Sequence, residues 1–274
     1  MTETGEAIYP GGASRGRLDE AVREVAAGVA PVVGEDFFQS LVVLLGKTLG
    51  VDHVLIAERD WVDHDRVYVV AMASRGEPLE RGSFRLGGSA SEVVLDQGTL
   101  TVPARVRREF PDDPLLEELG AESFCGRRVT DAAGVSTGLL AVVHGAAMRD
   151  AHFAESLIAK FSLRVAAELE RKRTEALLRD NEVRLRSLVD SAPVGIFEID
   201  AQGRFLSVNA ESQRLAGDPS DAVGRSYLDT VADWDRGRVA DVIKQSFEGR
   251  LCQFEYTSSA GERTRIFSAT LIPL

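Results

Sequence analysis

The stretch Phe161-Ser-Leu-Arg-Val165-Ala-Ala-Glu-Leu169-Glu-Arg-Lys-Arg-Thr-Glu-Ala-Leu-Leu178-Arg-Asp-Asn181-Glu-Val-Arg-Leu185-Arg-Ser-Leu188 decides how this chain is organised. Neither Pro nor Gly occurs from Ala151 to Ala192, so nothing in the interior breaks a helix. At a rise of about 1.5 Å per residue, a helix over 150–190 would run roughly 55–60 Å, far more than one domain uses. Such a rod is a connector. The sequence on either side of it alternates between helix and strand patterns, so the spacing predicts two folded modules joined by a helix.

Along that helix Leu178, Asn181, Leu185 and Leu188 follow a 3-4-3 spacing, the seam of a two-stranded coiled coil with one polar core position. Upstream, Phe161, Val165 and Leu169 recur every four residues, so the apolar stripe changes phase near Lys172–Thr174. A break of that kind locally alters supercoiling. All seven residues are therefore candidate dimer contacts. Acid-before-base pairs such as Glu168–Lys172 and Asp180–Arg184 add only about 0.2–0.5 kcal/mol each, so packing must supply most of the helix's order.

Outward from the rod, residues 1–16 are Gly-rich and polar and are expected to be disordered, and 17–165 form the first module. It opens with a helix from Arg17 and a second over Glu35–Leu49, which stops at Gly50. Strand patterns follow at Val51–Arg59 and Arg66–Ser74, then at Thr99–Pro103, Glu122–Arg128 and Val135–His144. The rod covers 150–190, and 184–274 form the second module. Its hairpin turns at Asp200-Ala-Gln-Gly203, helical pieces lie at Ala210–Ala216 and Pro219–Val223, and a longer helix runs over Asp233–Glu248. Two strands, Leu251–Ser259 and Thr264–Leu271, close it around Ala260-Gly-Glu262. The fold class expected is α+β, each module an antiparallel sheet flanked by helices.

Composition narrows the function. A net charge of −11 argues against nucleic-acid binding, which needs a concentrated basic surface. The longest apolar runs, Leu41–Leu45 and Leu139–Val143, are too short to span a bilayer. Two cysteines, Cys125 and Cys252, make neither a disulfide framework nor a zinc site. With no secretion signal at the N-terminus, the expected location is cytoplasmic.

Two family resemblances fit this layout. Phe37-Phe38, Val51-Asp-His-Val-Leu-Ile56, Phe124-Cys-Gly-Arg-Arg-Val-Thr-Asp-Ala-Ala-Gly134 and Gly138-Leu-Leu-Ala-Val142 resemble a GAF domain. Leu188-Val-Asp-Ser-Ala-Pro193-Val-Gly-Ile-Phe197, the Asp200–Gly203 turn, Val208-Asn209-Ala and Val223-Gly224 resemble a PAS domain. The PAS resemblance implies five strands, and only four are legible. The last strand is expected to be lacking, through a shortened product or with a partner strand completing the sheet edge.

Enzyme motifs are absent. No Gly-x-x-x-x-Gly-Lys-[Ser/Thr], Gly-x-Gly-x-x-Gly or Gly-x-Ser-x-Gly occurs, and no histidine lies beyond His152. His64 with Asp60, Asp63 and Asp65 reads as a solvated loop rather than a metal site, so no metal is expected. The resemblances allow cofactors to be tested residue by residue. Cys125 is followed by Gly126 where covalent bilin attachment commonly has His. Gly224-Arg225-Ser226-Tyr227 lacks the Cys of a flavin adduct, and the second module has no His for haem. Non-covalent flavin or another small ligand stays open. Phe84, Val93, Phe124 and Cys125 are candidate pocket residues of the first module; Phe197, Asn209 and Trp234 are those of the second. Plain core packing is the favoured reading of each, and a strand-end hydrogen bond explains Asn209 without a ligand.

The expectation is thus a non-catalytic sensory and dimerisation region of a bacterial-type, two-component-like signalling protein. It would act as a homodimer, bind an unidentified small molecule, and pass the signal along a parallel helical linker to an output domain. The alternatives are a dimerisation scaffold with packed pockets, or a remnant of a histidine kinase or cyclic-di-GMP enzyme without its output domain.

Overall fold

The computed structural model describes residues 11–80, 82–216, 222–258 and 264–273. Residues 1–10, the Ala260-Gly-Glu262 turn and most of the helical piece expected at 219–223 lie outside the described residues. The chain divides into two compact units, Met1–Ala176 and Leu177–Leu274.

In the first unit, helices α1 (Gly11–Val29) and α2 (Glu35–Leu49) precede the sheet. Residues 11–16 are helical, which corrects their reading as disordered. Gly11 and Gly12 sit in the opening turn, where their low propensity costs little, and Ala13 and the arginines that follow favour helix. Gly50 ends α2 in a left-handed conformation (φ 64°) that a glycine adopts without strain.

The strands are β1 (His53–Arg59), β2 (Arg66–Ser74), β3 (Glu77–Pro78), β4 (Ser83–Arg85), β5 (Thr99–Val102), β6 (Ser123–Thr130) and β7 (Ser136–His144). They form one antiparallel sheet in the order β3-β2-β1-β7-β6-β5, with β4 also beside β2. Three short helices are α3 (Ala90–Gln97), α4 (Val106–Glu109) and α5 (Pro114–Glu118). Ser89 caps α3 by accepting from the Glu92 N–H, and Asp113 caps α5 by accepting from Leu115 and Leu116.

Both faces of this sheet are buried, so its central strands read as continuous apolar runs. Val54, Ile56, Leu140 and Val142 pack with α1 and α2, whereas Leu55, Ala57, Leu139 and Val143 pack with α3 and α5. Helix α6 (Ala151–Asp190) begins on the first of these faces, where Asp150 accepts from the Phe153 N–H.

Phe153, Leu157, Ile158, Phe161, Val165 and Leu169 of α6 are all buried there. That corrects part of the expected dimer seam. Phe161, Val165 and Leu169 face the first unit's own core and are not free to meet a second chain. The break in the apolar stripe marks where the helix leaves its domain. Beyond it Leu178, Asn181, Leu185 and Leu188 are exposed, with no intramolecular partner surface among the described residues.

The second unit has strands β8 (Phe197–Ile199), β9 (Phe205–Val208), β10 (Cys252–Ser258) and β11 (Arg265–Leu271), with helices α7 (Ala210–Ala216) and α8 (Arg236–Phe247). A 3₁₀ turn spans Tyr227–Thr230. Antiparallel β8 and β9 form one two-stranded sheet, and β10 with β11 another. The first hairpin is tight because the Asp200 carboxylate accepts from the N–H groups of Gln202 and Arg204, and Gly203 supplies a φ of 72°.

The architecture is the expected mixture of helices and antiparallel strands, with the long α6 between the two sets. No helix among the described residues is long and apolar enough to cross a membrane.

Candidate ligand-binding site

Asn209 fixes the geometry at the start of α7. Its side-chain oxygen accepts from Ile196 and Ser212 N–H groups at 2.9 Å each, and its amide donates to the carbonyls of Val189 and Val194 at 2.8 and 3.0 Å. Four hydrogen bonds use up its capacity. Asn209 is therefore a buried clamp on the backbone, tying the last turn of α6 to the β8 approach, and is corrected from pocket residue to structural residue. Trp234 is also corrected: it is 76% exposed in the segment before α8, because its neighbours Val231 and Ala232 take the inward positions.

Phe197 is half-buried on β8. It lines a cavity of about 790 Å³ together with residues of α7, the 3₁₀ turn, β9, β10 and β11. Five aromatic rings build one wall. Phe197 stacks on Tyr227 with centroids 5.0 Å apart, Phe205 lies 5.6 Å from Tyr227, Tyr256 lies 5.5 Å from it, and Phe267 lies 5.8 Å from Tyr256. Each offset or tilted pair adds about 0.5–1.5 kcal/mol beyond area burial. At the cavity's mouth side, Glu211 is paired with Arg214.

One polar atom in this wall is unsatisfied. Tyr227 is 1% exposed, and among the described residues its hydroxyl has no well-formed hydrogen bond, Tyr256 being the polar side chain beside it. Burial pushes its pKa upward, so the group stays a protonated donor. Leaving such a group unpaired costs about 1–3 kcal/mol. Sequence reading missed Tyr227, Tyr256, Phe205 and Phe267. The available signal was the alternation of aromatic and small residues in the last two strands, which puts Tyr256, Phe267 and Ala269 on the inward side.

In the first unit the four candidates do not converge. Phe84 and Phe124 pack together in the cluster beneath α3 and α5, and Val93 is half-buried on α3. Cys125 packs on the opposite face of the sheet, since successive strand residues alternate sides. It is corrected out of that group. Burial raises its thiol pKa to about 11, with the Thr101 hydroxyl 3.4 Å away. A cavity of about 430 Å³ in this unit is lined instead by Gln39, Val69–Met72, Leu79, Glu80 and Gly82.

His144 Nδ1 lies 2.7 Å from the Asp52 carboxylate, which also accepts from the Gly145 N–H. His53 is buried beside them, with its Nδ1 unpartnered. Among the described residues no group of three or more His, Cys, Asp or Glu side chains is placed to hold a metal ion.

Comparison with protein families matches residues 189–274 to the model described as "PAS fold". Comparison with curated proteins gives no match. Solved structures similar to this chain include the GAF domain of a phosphoenolpyruvate-protein phosphotransferase from Acinetobacter, at 15% identity and a TM-score of 0.48, covering 58% of this chain and 96% of that one. The GAF domain of a phosphoenolpyruvate-protein phosphotransferase from Coxiella burnetii gives 18% identity and 0.48, over 59% of this chain and 97% of that one. Free methionine-R-sulfoxide reductase from Neisseria meningitidis, solved with its substrate, gives 16% and 0.44, over 62% and 98%. Residues 189–274 are thus the part of the chain similar to the PAS fold, and the solved structures it resembles include GAF domains.

Proposed function

We propose that this chain is a non-catalytic sensory region that binds a small, flat, largely apolar molecule in the aromatic cavity of its PAS-fold module. The observation that carries the reading is the cavity of about 790 Å³ lined by the rings of Phe197, Phe205, Tyr227, Tyr256 and Phe267. Pockets of this size suit small organic ligands, with apolar walls supplying affinity and a few polar groups supplying orientation. A non-covalent flavin is one molecule of that shape.

Signal transfer belongs to the same proposal. Asn209 bonds both to the α6 carbonyl of Val189 and to the strand approach at Ile196, so a shift of the cavity wall near Phe197 reaches the helix end. The exposed Leu178, Asn181, Leu185 and Leu188 then carry it into a parallel homodimer, Asn181 fixing the register. The chain would thereby serve as a dimeric signal-transduction module.

Native mass spectrometry of the purified chain and thermal shift with flavin mononucleotide and a panel of small aromatics test the binding. A retained small molecule, or a rise in melting temperature, is expected. An empty chain that no member of the panel stabilises would defeat the ligand reading.

A further inference from the structure

In the first unit the chain passes from β1 to β2 through Asp60-Trp-Val-Asp-His-Asp65. This turn is tied internally. The Asp60 N–H donates to the Arg66 carbonyl at 3.0 Å, and the Arg66 N–H to the Asp63 carbonyl at 2.9 Å. The Asp60 carboxylate accepts from the Val62 N–H at 2.8 Å, and the Asp63 carboxylate from the Asp65 N–H at 3.2 Å. Asp60 also accepts from the Tyr68 hydroxyl on β2. Aspartates that satisfy N–H groups two residues on fix a turn's shape, so its two ends move together.

Those ends grip opposite layers. At one, Asp65 holds the segment ahead of α3: its carbonyl accepts from the Leu86 N–H at 2.8 Å and its carboxylate from the Gly87 N–H at 2.9 Å. That segment leads into Ser89, the cap of α3. At the other end, the Arg173 guanidinium of α6 lies over the Trp61 ring, 3.8 Å from its centroid. The Trp61 indole N–H donates to the Glu58 carboxylate near the end of β1. Glu58 shares the parity of Val54 and Ile56, so it points into the layer that holds α6. Burial pushes its pKa up, and the two cations opposing that, Lys172 and Arg173, are both on α6. Arg173 also marks a boundary: from there to Ser191 every residue is exposed.

We infer that the β1–β2 turn is a strap coupling the α3 side of the first unit's sheet to the exit of α6. It closes on Arg173 while Asp65 holds the Leu86–Gly87 segment, and it opens when that hold is lost. A coupling device needs a stiff piece between two sites and ends that let go without unfolding the domain. The internal bonds of the turn supply the first. Exposure supplies the second: Trp61 is 39% exposed, and Asp65, Gly87 and Arg173 are exposed too. Every link is a hydrogen bond or a cation–ring contact at the end of the sheet, so the apolar clusters on its two faces need not repack. The strap involves neither the aromatic cavity nor the exposed leucines of α6.

The test cuts one end and reads the other, in the full chain with Trp234→Phe so that Trp61 is the single tryptophan. Asp65→Ala is expected to raise acrylamide quenching of Trp61 and to speed amide exchange at Glu170–Ala176 by about fivefold or more, the low end of ordinary coupling between sites. Asp65→Asn keeps an acceptor oxygen for Gly87 and is expected to restore both. Linkage requires the reverse as well: Arg173→Ala is expected to speed exchange of the Leu86 and Gly87 amides by the same factor. Glu35→Gln, which loosens the 3.7 Å contact with Lys172 outside the strap, is expected to leave those two amides unchanged.

Faster exchange at Gly87 in Asp65→Ala, with Trp61 and Glu170–Ala176 unmoved, would overturn the strap, as would an effect in one direction without its reciprocal. An equal response to Glu35→Gln would mean general loosening of α6 and would overturn it too. Where Asp65→Ala loosens the whole unit, exchange at Leu139–Val143 in the central strand rises with the rest. The Arg173→Ala arm then decides alone: faster exchange at Leu86 and Gly87 supports the strap, and unchanged exchange there overturns it.

Discussion

Leu169 and Leu178 lie on one unbroken helix, yet Leu169 is 3% exposed and Leu178 is 60% exposed. The first belongs to a domain core and the second to an open helical face. Their substitutions should separate accordingly. Leu169→Ala should cost the first unit about 2–5 kcal/mol, as other buried leucines do. Leu185→Asp should leave thermal unfolding of that unit nearly unmoved and abolish self-association. Sedimentation at tens of micromolar checks the second point, and a wild-type monomer there would end the dimer proposal. Asn181→Leu should tighten association while loosening the choice of oligomeric state.

Gly138 sits where β7 passes β1, and a Cβ there would stand 2.2 Å from the Ala57 carbonyl oxygen. Gly126 is also tight, but its close neighbours are buried side chains rather than backbone, Val94 at 2.7 Å and the Phe124 ring at 2.8 Å. Overpacking of this kind costs about 1–3 kcal/mol and occasionally more. Gly138→Ala should fall at or above the top of that range, and Gly126→Ala inside it. Chemical denaturation of the two variants side by side gives the comparison.

Burial holds the His53 imidazole below its ordinary pKa of 6.5, so it is neutral in the folded chain. Once unfolded it takes up a proton more readily. As pH falls below 6.5 toward the depressed folded value, the unfolded state binds more protons and stability declines. Asp52, lowered chiefly by the Gly145 N–H and then by His144, acts in the same direction at more acid pH. Its stabilisation is present above the ordinary carboxylate range and is lost as pH drops through the folded value. Urea midpoints read from Trp61 in a Trp234→Phe background should decrease between pH 7 and 5, and His53→Gln should flatten that slope.

The two thiols should differ sharply toward alkylation. Cys125 is fully buried with its pKa pushed up to about 11, and Cys252 is partly exposed. Only the thiolate reacts, and it needs access. Native treatment with iodoacetamide followed by peptide mass spectrometry should label Cys252 alone. Modification of Cys125 on the same timescale would mean that the sheet opens far more often than its packing implies.

Much of the architecture was legible because period and punctuation are local. Glu35–Leu49 ends at Gly50, Arg66–Ser74 is a strand between polar turns, and the Asp200–Gly203 turn has its carboxylate acceptor. The candidate site was less legible. Asn209 looked like a polar outlier suited to a ligand, but its side chain is taken up by the backbone of Val189, Val194, Ile196 and Ser212, which meet it only in the folded chain. Trp234 looked like a stacking ring and is turned to solvent. Phe124 and Cys125 are neighbours in sequence and lie on opposite sides of a sheet, a distinction that only a strand's sidedness in three dimensions reveals.

By itself, the sequence determined the elements: an uninterrupted rod, strands bounded by glycine and aspartate turns, and a charge balance unsuited to nucleic acid. Those follow from backbone propensity and periodicity, which are properties of neighbouring residues. Which half of the rod is spent on its own domain was decided only by tertiary structure. So was the meeting of five aromatic rings in the wall of one cavity. These depend on which distant surfaces bury one another, and the free energy of burial belongs to the packed pair rather than to either segment alone.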